Sequence, residues 1–236
     1  MKPSISLLHS TLWRPEKAIA CMQLWASRCS CPGDVEYVIA YERDDKSTEA
    51  ALDNFLPEYE APWAHGGVVV IRGDFKGSAP AWDAAYRASS GDLLVQVSDD
   101  FSCPVDWDVA LLARLPAGWE GKPIVIAVND GLRRDKMLTM FVCTRNYAEL
   151  AGEFLHKGYQ GVFSDSEATH RAYLRHETGL ATVIEARDLL FTHNHHCKSN
   201  EPEDATYAHQ NSPEAYEAGK KLFMERNPGA GGGLWM

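Results

Sequence analysis

The stretch SSGDLLVQVSDD, residues 89–100, contains a turn, an apolar run and two adjacent aspartates. The apolar run predicts a buried strand over 92–97, preceded by a helix that ends before Gly91. Asp99 and Asp100 follow the strand directly, where two like charges repel and their burial costs further free energy. A hard divalent cation such as Mg²⁺ or Mn²⁺ would remove that repulsion. The alternative is a solvated turn in which one aspartate caps the next helix.

The chain before this stretch repeats the same alternation of strand and helix. Strands are predicted at 4–9, 35–41 and 67–72, and helices at 14–29, 47–56 (with Ser47 as N-cap) and 78–91. Such βαβ units form a mainly parallel sheet, whose right-handed crossovers bring the carboxyl ends of the strands to one edge. Because ligands bind at that edge, the loops 9–14, 42–46, 73–77 and 98–104 are expected to face one cleft.

The second half of the chain is less regular, and no linker separates it from the first half. Helices are predicted at 107–115, 146–152, 164–176 and 213–226, and strands at 123–128, 136–144, 181–186 and 189–193. We expect one α/β domain over 1–197. A C-terminal extension, 198–236, is expected to pack on that domain and to end in a flexible glycine-rich tail, GAGGG at 229–233.

The composition limits the class of function. The 236 residues include 23 basic and 33 acidic side chains, a formal net charge of −10, which argues against a protein that coats a polyanion. The densest basic cluster, RRDK at 133–136, is short and is interpreted as a solvated loop. No run reaches membrane-spanning length, and the six cysteines lack paired zinc-site spacing. We therefore expect a protein of the reducing cytoplasm with mostly buried thiols.

A histidine-rich segment, FTHNHHC at 191–197, follows a strand-like run. Alternate residues of an extended chain point the same way, so His193 and His195 share a face. A neutral imidazole is a suitable ligand for Mn²⁺. Two alternatives remain open: a polar loop with incidental histidines, and a zinc site made of His193, His195 and Cys197.

Two further groups of polar residues are candidates for a site. In GVFSDSEATHRAY, 161–173, Ser164 and Glu167 match a capping box, and Asp165 at the first helical position is placed to act as a general base or to interact with the helix dipole. After the first two strands, Arg14 is a candidate for phosphate or base. Asp44 or Asp45 is a candidate for a uracil or ribose contact, and ordinary loop charges are the alternative.

Taken in order, these motifs resemble the GT-A fold glycosyltransferases, the large family-2-like group of nucleotide-diphosphosugar transferases, over about residues 4–197. The resembling features are TxxRP (Thr11, Arg14, Pro15), the acidic turn at Asp44 and Asp45, the segment 85–100 with its DxD-like end, the helix with Asp165, Glu167 and Arg171, and the late His193. The resemblance implies a mixed, mainly parallel sheet flanked by helices, with a short helical C-terminal extension.

The resemblance also implies roles for individual residues. Asp100 takes the place of the metal-binding aspartate, Asp99 the variable middle position, and Ser98 the first aspartate of the motif. Asp165 takes the place of the base of inverting members, with Glu167 and Arg171 on the same helix, and Asp83 lies where members often carry an asparagine near the sugar. His193, with His195 beside it, completes the Mn²⁺ or Mg²⁺ site.

The reaction implied by the resemblance is transfer of a sugar from a nucleotide-diphosphate sugar, with UDP the expected nucleotide, to an acceptor hydroxyl with inversion. Short chains of this type often occur in bacteriophages, where the acceptor is a hydroxymethylated DNA base or a glycan and the location is the host cytoplasm. Alternatives are a nucleotidyltransferase or nucleotide-sugar hydrolase on the same fold, and a zinc-stabilised binding module that uses His193, His195, His196 and Cys197.

Overall fold

The computed structural model describes residues 4–195 and 204–230 as a mixed α/β structure. Its strands are β1 (Ile5–Thr11), β2 (Val35–Glu42), β3 (Val68–Gly73), β4 (Leu93–Ser98), β5 (Phe101–Ser102), β6 (Ile124–Asn129), β7 (Val142–Thr144), β8 (Thr182–Leu190) and β9 (Thr192–His193). Its helices are α1 (Pro15–Ser27), α2 (Lys46–Phe55), α3 (Ser78–Ala88), α4 (Trp107–Leu112), α5 (Arg145–Ala151), α6 (Ser164–Glu177), α7 (Ala205–Gln210) and α8 (Pro213–Arg226).

Seven of the strands form one sheet in the order β3-β2-β1-β4-β7-β6-β8. All its pairings are parallel except those of β7, which runs antiparallel to both β4 and β6. The predicted fold class is therefore confirmed. The remaining two strands, β5 and β9, pair antiparallel, with Phe101 opposite His193. That small sheet brings the histidine segment next to the loop that follows β4.

Hydrophobic cores cover both faces of the large sheet, because its strands are apolar at nearly every position. One face is filled by aromatic side chains such as Trp25, whose ring lies 5.0 Å from that of Trp107 and 5.8 Å from that of Phe191. The other face packs Tyr147 and Phe154 around Phe141, with ring centroids 5.8 Å and 5.4 Å away. A sheet held between two cores presents its polar residues at the strand ends.

The register of the sheet determines which strand ends meet. Ser10 of β1 lies opposite Ser98 of β4 and opposite Ala40 of β2, so these three strands end at the same level. The loops after β1 and β4 therefore share one edge of the sheet.

Some predicted elements were wrong. The predicted strand 136–144 is a strand only at Val142–Thr144, because Asp130 accepts the backbone N–H groups of Leu132 and Arg133 at 2.8 Å and folds the preceding segment into turns. The two predicted strands at 181–186 and 189–193 are largely one strand, β8, with a bulge, followed by the short β9. The helix α7 was not predicted at all.

The start of α2 also differs from the prediction, because its N-cap is Asp45 and not Ser47. The Asp45 carboxylate, 1% exposed, accepts the backbone N–H of Thr48 at 3.0 Å and that of Trp13 at 2.6 Å. We expect Asp45→Ala to lower the free energy of unfolding by about 2 kcal/mol, since the helix cap is lost and the Trp13 N–H is left unpaired. Urea denaturation measures this, with the exposed neighbour substituted as Asp44→Ala as a control that should change stability little. Equal stabilities of the two variants would contradict the capping role.

Within the described part of the chain, no helix combines the length and apolar character needed to cross a membrane. Five cysteines lie in this part and all are free thiols. Cys21, Cys103 and Cys143 are buried, whereas Cys29 is partly exposed and Cys31 is exposed.

Candidate active site

A cleft of about 870 Å³, counted to its open mouth, lies at the sheet edge where β1 and β4 end. Its walls come from the loops after these strands, the first turn of α6, the histidine segment and α7. Eight of the thirteen candidate site residues line it: Thr11, Arg14, Ser98, Asp99, Asp100, Asp165, His193 and His195. The sequence-based expectation that these separate motifs meet in one cleft is borne out by their positions.

Asp99 and Asp100, adjacent in sequence, have different surroundings. The Asp99 side chain is 3% exposed and points back toward β1, where Oδ1 lies 2.8 Å from His9 Nε2 and Oδ2 accepts from Thr11 Oγ1 at 3.0 Å. The other ring nitrogen of His9 lies 2.8 Å from the hydroxyl of Tyr37. Asp99 is thus held in a hydrogen-bonded chain that joins the end of β1 to the end of β4, and Thr11 has a positioning role there.

Asp100 turns toward the histidine segment. Its Oδ1 accepts from Ser98 Oγ at 2.5 Å, its Oδ2 lies 3.2 Å from His193 Nε2, and the hydroxyl of Tyr207 donates to the same Oδ2. Burial favours the neutral acid, but His193, Ser98 and Tyr207 outweigh it and hold the pKa of Asp100 well below its usual range. The site therefore contains an ionised carboxylate beside an imidazole, which are two ligands that a divalent cation accepts.

The donor set fits a cation that is only partly coordinated by protein. Asp100 Oδ2 and His193 Nε2 converge, and the His193 ring is fixed by stacking on Phe101 with centroids 4.5 Å apart. Among the described residues no group of three or more His, Cys, Asp or Glu side chains is arranged to hold a metal. Two protein ligands suit Mg²⁺ or Mn²⁺, which take their remaining ligands from phosphate oxygens and water. His196 and Cys197 of the alternative zinc site lie outside the described residues.

The C-terminal segment forms one wall of the cleft. Asp204 binds the guanidinium of Arg14 with two hydrogen bonds, 2.8 Å from Nε and 2.6 Å from Nη2, and Thr206 Oγ1 donates to the carbonyl of Leu12 at 2.5 Å. The Arg14 guanidinium also lies 4.3 Å from the ring centre of Tyr207. The His195 ring is 4.9 Å from the same tyrosine. Arg14 and Asp100, from distant elements, are therefore both in contact with α7.

Asp165 faces the cleft from the first turn of α6. The helix follows Phe163, whose φ of 71° is left-handed, so the predicted N-cap Ser164 is instead the first helical residue. Asp165 Oδ1 accepts the backbone N–H of Ser166 at 2.7 Å. Burial raises its pKa, against the opposing effects of that hydrogen bond and of the nearby charge of Arg133. A carboxylate with a raised pKa at the wall of a cleft is a better proton acceptor than a solvated one.

Five candidate residues lie outside this cleft, and the structure gives each a different setting. Asp44 is exposed, and Asp45 is the helix cap described above. Asp83 is 4% exposed and accepts from the backbone N–H of Phe154 at 3.0 Å and from Arg87 Nε at 2.8 Å. The carboxylate of Asp83 is thus occupied by structural contacts rather than by the cleft.

Glu167 and Arg171 lie on the side of α6 that faces away from the cleft. The Glu167 carboxylate, 3% exposed, is bound by Arg226 Nε at 2.9 Å, by Arg171 Nε at 2.6 Å and by the hydroxyl of Tyr159 at 2.5 Å. It does not bind its own helix start, so the predicted capping box is wrong. Its ionic partners tie α6 to the end of α8, a setting that contradicts the catalytic role expected for Glu167.

Sequence reasoning missed three residues of the cleft: Gln96, Asp204 and Tyr207. Asp204 and Tyr207 lie far from their partners in sequence, and no motif marks them. Gln96 carried a usable signal, because it is the single polar residue in the apolar run Leu93–Val97. A polar side chain in a buried strand needs a specific partner.

Neither the protein-family models nor the curated proteins give a match to this sequence. Solved structures do resemble it. The mannosyltransferase PcManGT from Pyrobaculum calidifontis, in complex with GDP-Man and Mn²⁺, matches 98% of this chain and 76% of its own, with 12% identity and a TM-score of 0.63. S. aureus TarS 1-349 in complex with UDP-GlcNAc matches 95% of this chain and 66% of its own, with 12% identity and a TM-score of 0.67.

The chain has the fold of these glycosyltransferases. The TarS 1-349 complex with UDP adds a third comparison at 11% identity and a TM-score of 0.64, and this chain spans 65% of it. At such identities the likeness concerns the fold, so the activity of this chain has to be argued from the residues of its own cleft.

Proposed function

We propose that this protein is a metal-dependent glycosyltransferase that moves a sugar from a nucleotide-diphosphate sugar to an acceptor hydroxyl with inversion. The observation that supports this most strongly is the convergence of Asp100, His193 and Asp165 on one cleft. It combines a place for a cation with a separate carboxylate of raised pKa. The solved neighbours carry GDP-Man with Mn²⁺, UDP and UDP-GlcNAc, which makes a nucleotide sugar the natural donor to test.

Each residue has a distinct part in this proposal. Asp100 and His193 hold Mn²⁺ or Mg²⁺, which when bound neutralises the charge that develops on the leaving diphosphate. Arg14 offers a guanidinium to the phosphates, exchanging its contact with Asp204 for them. His195 lies beside His193 and lines the same wall. Asp99 acts through its network with His9 and Thr11, which fixes the strand end on which Asp100 sits.

Asp165 accepts the proton of the acceptor hydroxyl. The hydroxyl oxygen then forms a bond to the anomeric carbon while the bond from that carbon to the diphosphate breaks on the opposite face, so the configuration inverts. Covalent attachment of the sugar to the protein is not needed, and a single displacement requires a base on the acceptor side only. The part of Asp165 therefore predicts an inverted product.

A binding experiment tests the donor site. We expect isothermal titration of UDP, GDP, CDP and dTDP into the wild-type protein to show Mn²⁺-dependent binding of at least one nucleotide. Asp100→Ala should lose this binding by more than tenfold, since one of the two protein ligands of the metal is removed. Asp188→Ala, an aspartate on the surface far along β8, is the matched control and should bind as the wild type does.

Either of two results would contradict the proposal. Silence of all four nucleotides with Mn²⁺ present would leave the fold without the activity. Unchanged binding by Asp100→Ala would remove the metal assignment. One mole of tightly held zinc in protein purified without added metal would instead favour the zinc-stabilised module, and release of the free sugar without an acceptor would favour a hydrolase.

The acceptor is proposed at the level of a hydroxyl compound, either a hydroxymethylated base in DNA or a glycan. The expected bacteriophage origin and the host-cytoplasmic location stay predictions from the sequence. A screen of both acceptor types, once the donor nucleotide is known, distinguishes them, because only a DNA acceptor would give glycosylation of a hydroxymethylated oligonucleotide.

A further inference from the structure

Gln96 is a polar side chain in an apolar setting. It lies in β4 between Val95 and Val97, both fully buried, and is itself only 6% exposed. An amide removed from water costs free energy unless its donor and its acceptor both find partners. The part of Gln96 that remains accessible faces the cleft, where the residue forms part of the lining.

The protein satisfies only one half of this amide. Oε1 of Gln96 accepts the backbone N–H of Phe141 at 2.8 Å, and the backbone N–H of Gln96 donates to the carbonyl of Phe141 at 2.9 Å. Because a peptide N–H is only a donor, the atom that faces it has to be the carbonyl oxygen of the amide, which fixes the orientation of the side chain. Nε2 then has no hydrogen-bond partner among residues 4–195 and 204–230.

The position of Gln96 connects the two ends of the proposed site. Along β4 it lies two residues before Ser98, on the same face of the strand, and Ser98 Oγ donates to Asp100. On the other side, the segment 138–141 leads to Thr169, which accepts the backbone N–H of Leu138 and donates to the carbonyl of Asp165. The free amide donor therefore lies on the floor of the cleft between the elements that carry the metal ligand and those that carry the base.

We propose that Nε2 of Gln96 donates a hydrogen bond to an oxygen of the transferred sugar, a hydroxyl or an acetamido carbonyl, and so contributes to the choice of donor sugar. This inference rests on the proposed function. The sugar has to lie between the diphosphate and the acceptor, and the floor beneath that place offers a donor that no protein group uses. A site that hydrogen-bonds a substrate oxygen discriminates strongly against a ligand that lacks it.

The test compares a nucleotide with its own sugar conjugate. Isothermal titration with Mn²⁺ is made for UDP against UDP-glucose and UDP-GlcNAc, and for GDP against GDP-mannose, using the pair that wild-type protein binds. Gln96→Glu keeps the acceptor for Phe141 and removes both N–H donors, whereas Gln96→Met keeps the size and carries no charge. Gln23→Glu, the same change at an exposed position of α1, is the matched control.

We expect both Gln96 variants to weaken binding of the nucleotide sugar about tenfold more than binding of the nucleotide alone, while Gln23→Glu leaves the ratio unchanged. Thermal melting of each variant shows that the protein titrated is folded, and Gln96→Glu is the decisive variant if Gln96→Met melts early. An unchanged ratio in Gln96→Glu, with nucleotide binding intact, overturns this inference alone. Failure of the wild type to bind any nucleotide overturns the proposed function and this inference with it.

Discussion

Asp165→Asn is expected to lower kcat about 10²- to 10⁴-fold, because asparagine keeps the size of the side chain but cannot accept the proton of the acceptor hydroxyl. Asp165 is not in contact with the pair formed by Asp100 and His193, so the affinity for the donor nucleotide should stay within about twofold of the wild type. Steady-state rates with the identified donor and acceptor, together with nucleotide titration, separate the two effects. A fall in both would point to a disturbed cleft rather than to a missing base.

The pH dependence of the rate provides a second measurement of Asp165. Burial raises the pKa of this carboxyl above its ordinary value, and the base works only when ionised. The kcat of the wild type should therefore fall as pH drops through the raised pKa, and this acid limb should disappear in Asp165→Asn. A control substitution at the surface, Asp188→Asn, should keep the limb. Retention of configuration in the product would contradict the role of Asp165 whatever the size of the rate effect.

Glu167→Gln is expected to lower the free energy of unfolding by about 3 kcal/mol at neutral pH, since it leaves Arg226 and Arg171 without their buried carboxylate. Denaturation in guanidinium chloride measures the change. Glu177→Gln, at the exposed end of the same helix, is the control and should alter stability by no more than about 0.5 kcal/mol. A variant that keeps full stability and loses activity would instead restore the catalytic role once expected for Glu167.

The stability effect at Glu167 should depend on pH in one direction. Burial opposes ionisation of this carboxyl, but Arg226, Tyr159 and Arg171 prevail and lower its pKa in the folded protein. A lowered folded-state pKa means that the stabilisation is complete above the unfolded value, near 4.5, and is lost as pH falls through the folded value. The difference between wild type and Glu167→Gln should therefore shrink in acid.

The first four strands were predictable because their information is local. Each is a run of apolar residues between turn signals, and the helices between them repeat their apolar positions at a helical period. The segment 136–144 looked similar, yet its backbone is directed by Asp130, Thr169 and Gln96, which are set by tertiary contacts. Local pattern cannot separate an apolar strand from an apolar loop that is held by distant polar side chains.

The candidate site shows the same division. Residues at the ends of strands, such as Asp99 and Asp100, were found because the topology of a parallel sheet fixes where they lie. Carboxylates at helix starts were harder: Asp45 and Glu167 have structural contacts, whereas Asp165, two residues before Glu167, faces the cleft. Their roles depend on which side of a helix meets the core, and on partners such as Arg226 that come from the far end of the chain.

The cleft draws its walls from residues that span nearly the whole sequence, from Thr11 to Asn211. During synthesis, the strands β1 to β4 emerge with their neighbours already made and are able to pair early. His193, Asp204 and Tyr207 reach the site only after some two hundred residues have left the ribosome. A nascent chain therefore cannot assemble the donor site in parts, and binding of a nucleotide sugar reports that folding has reached its last step.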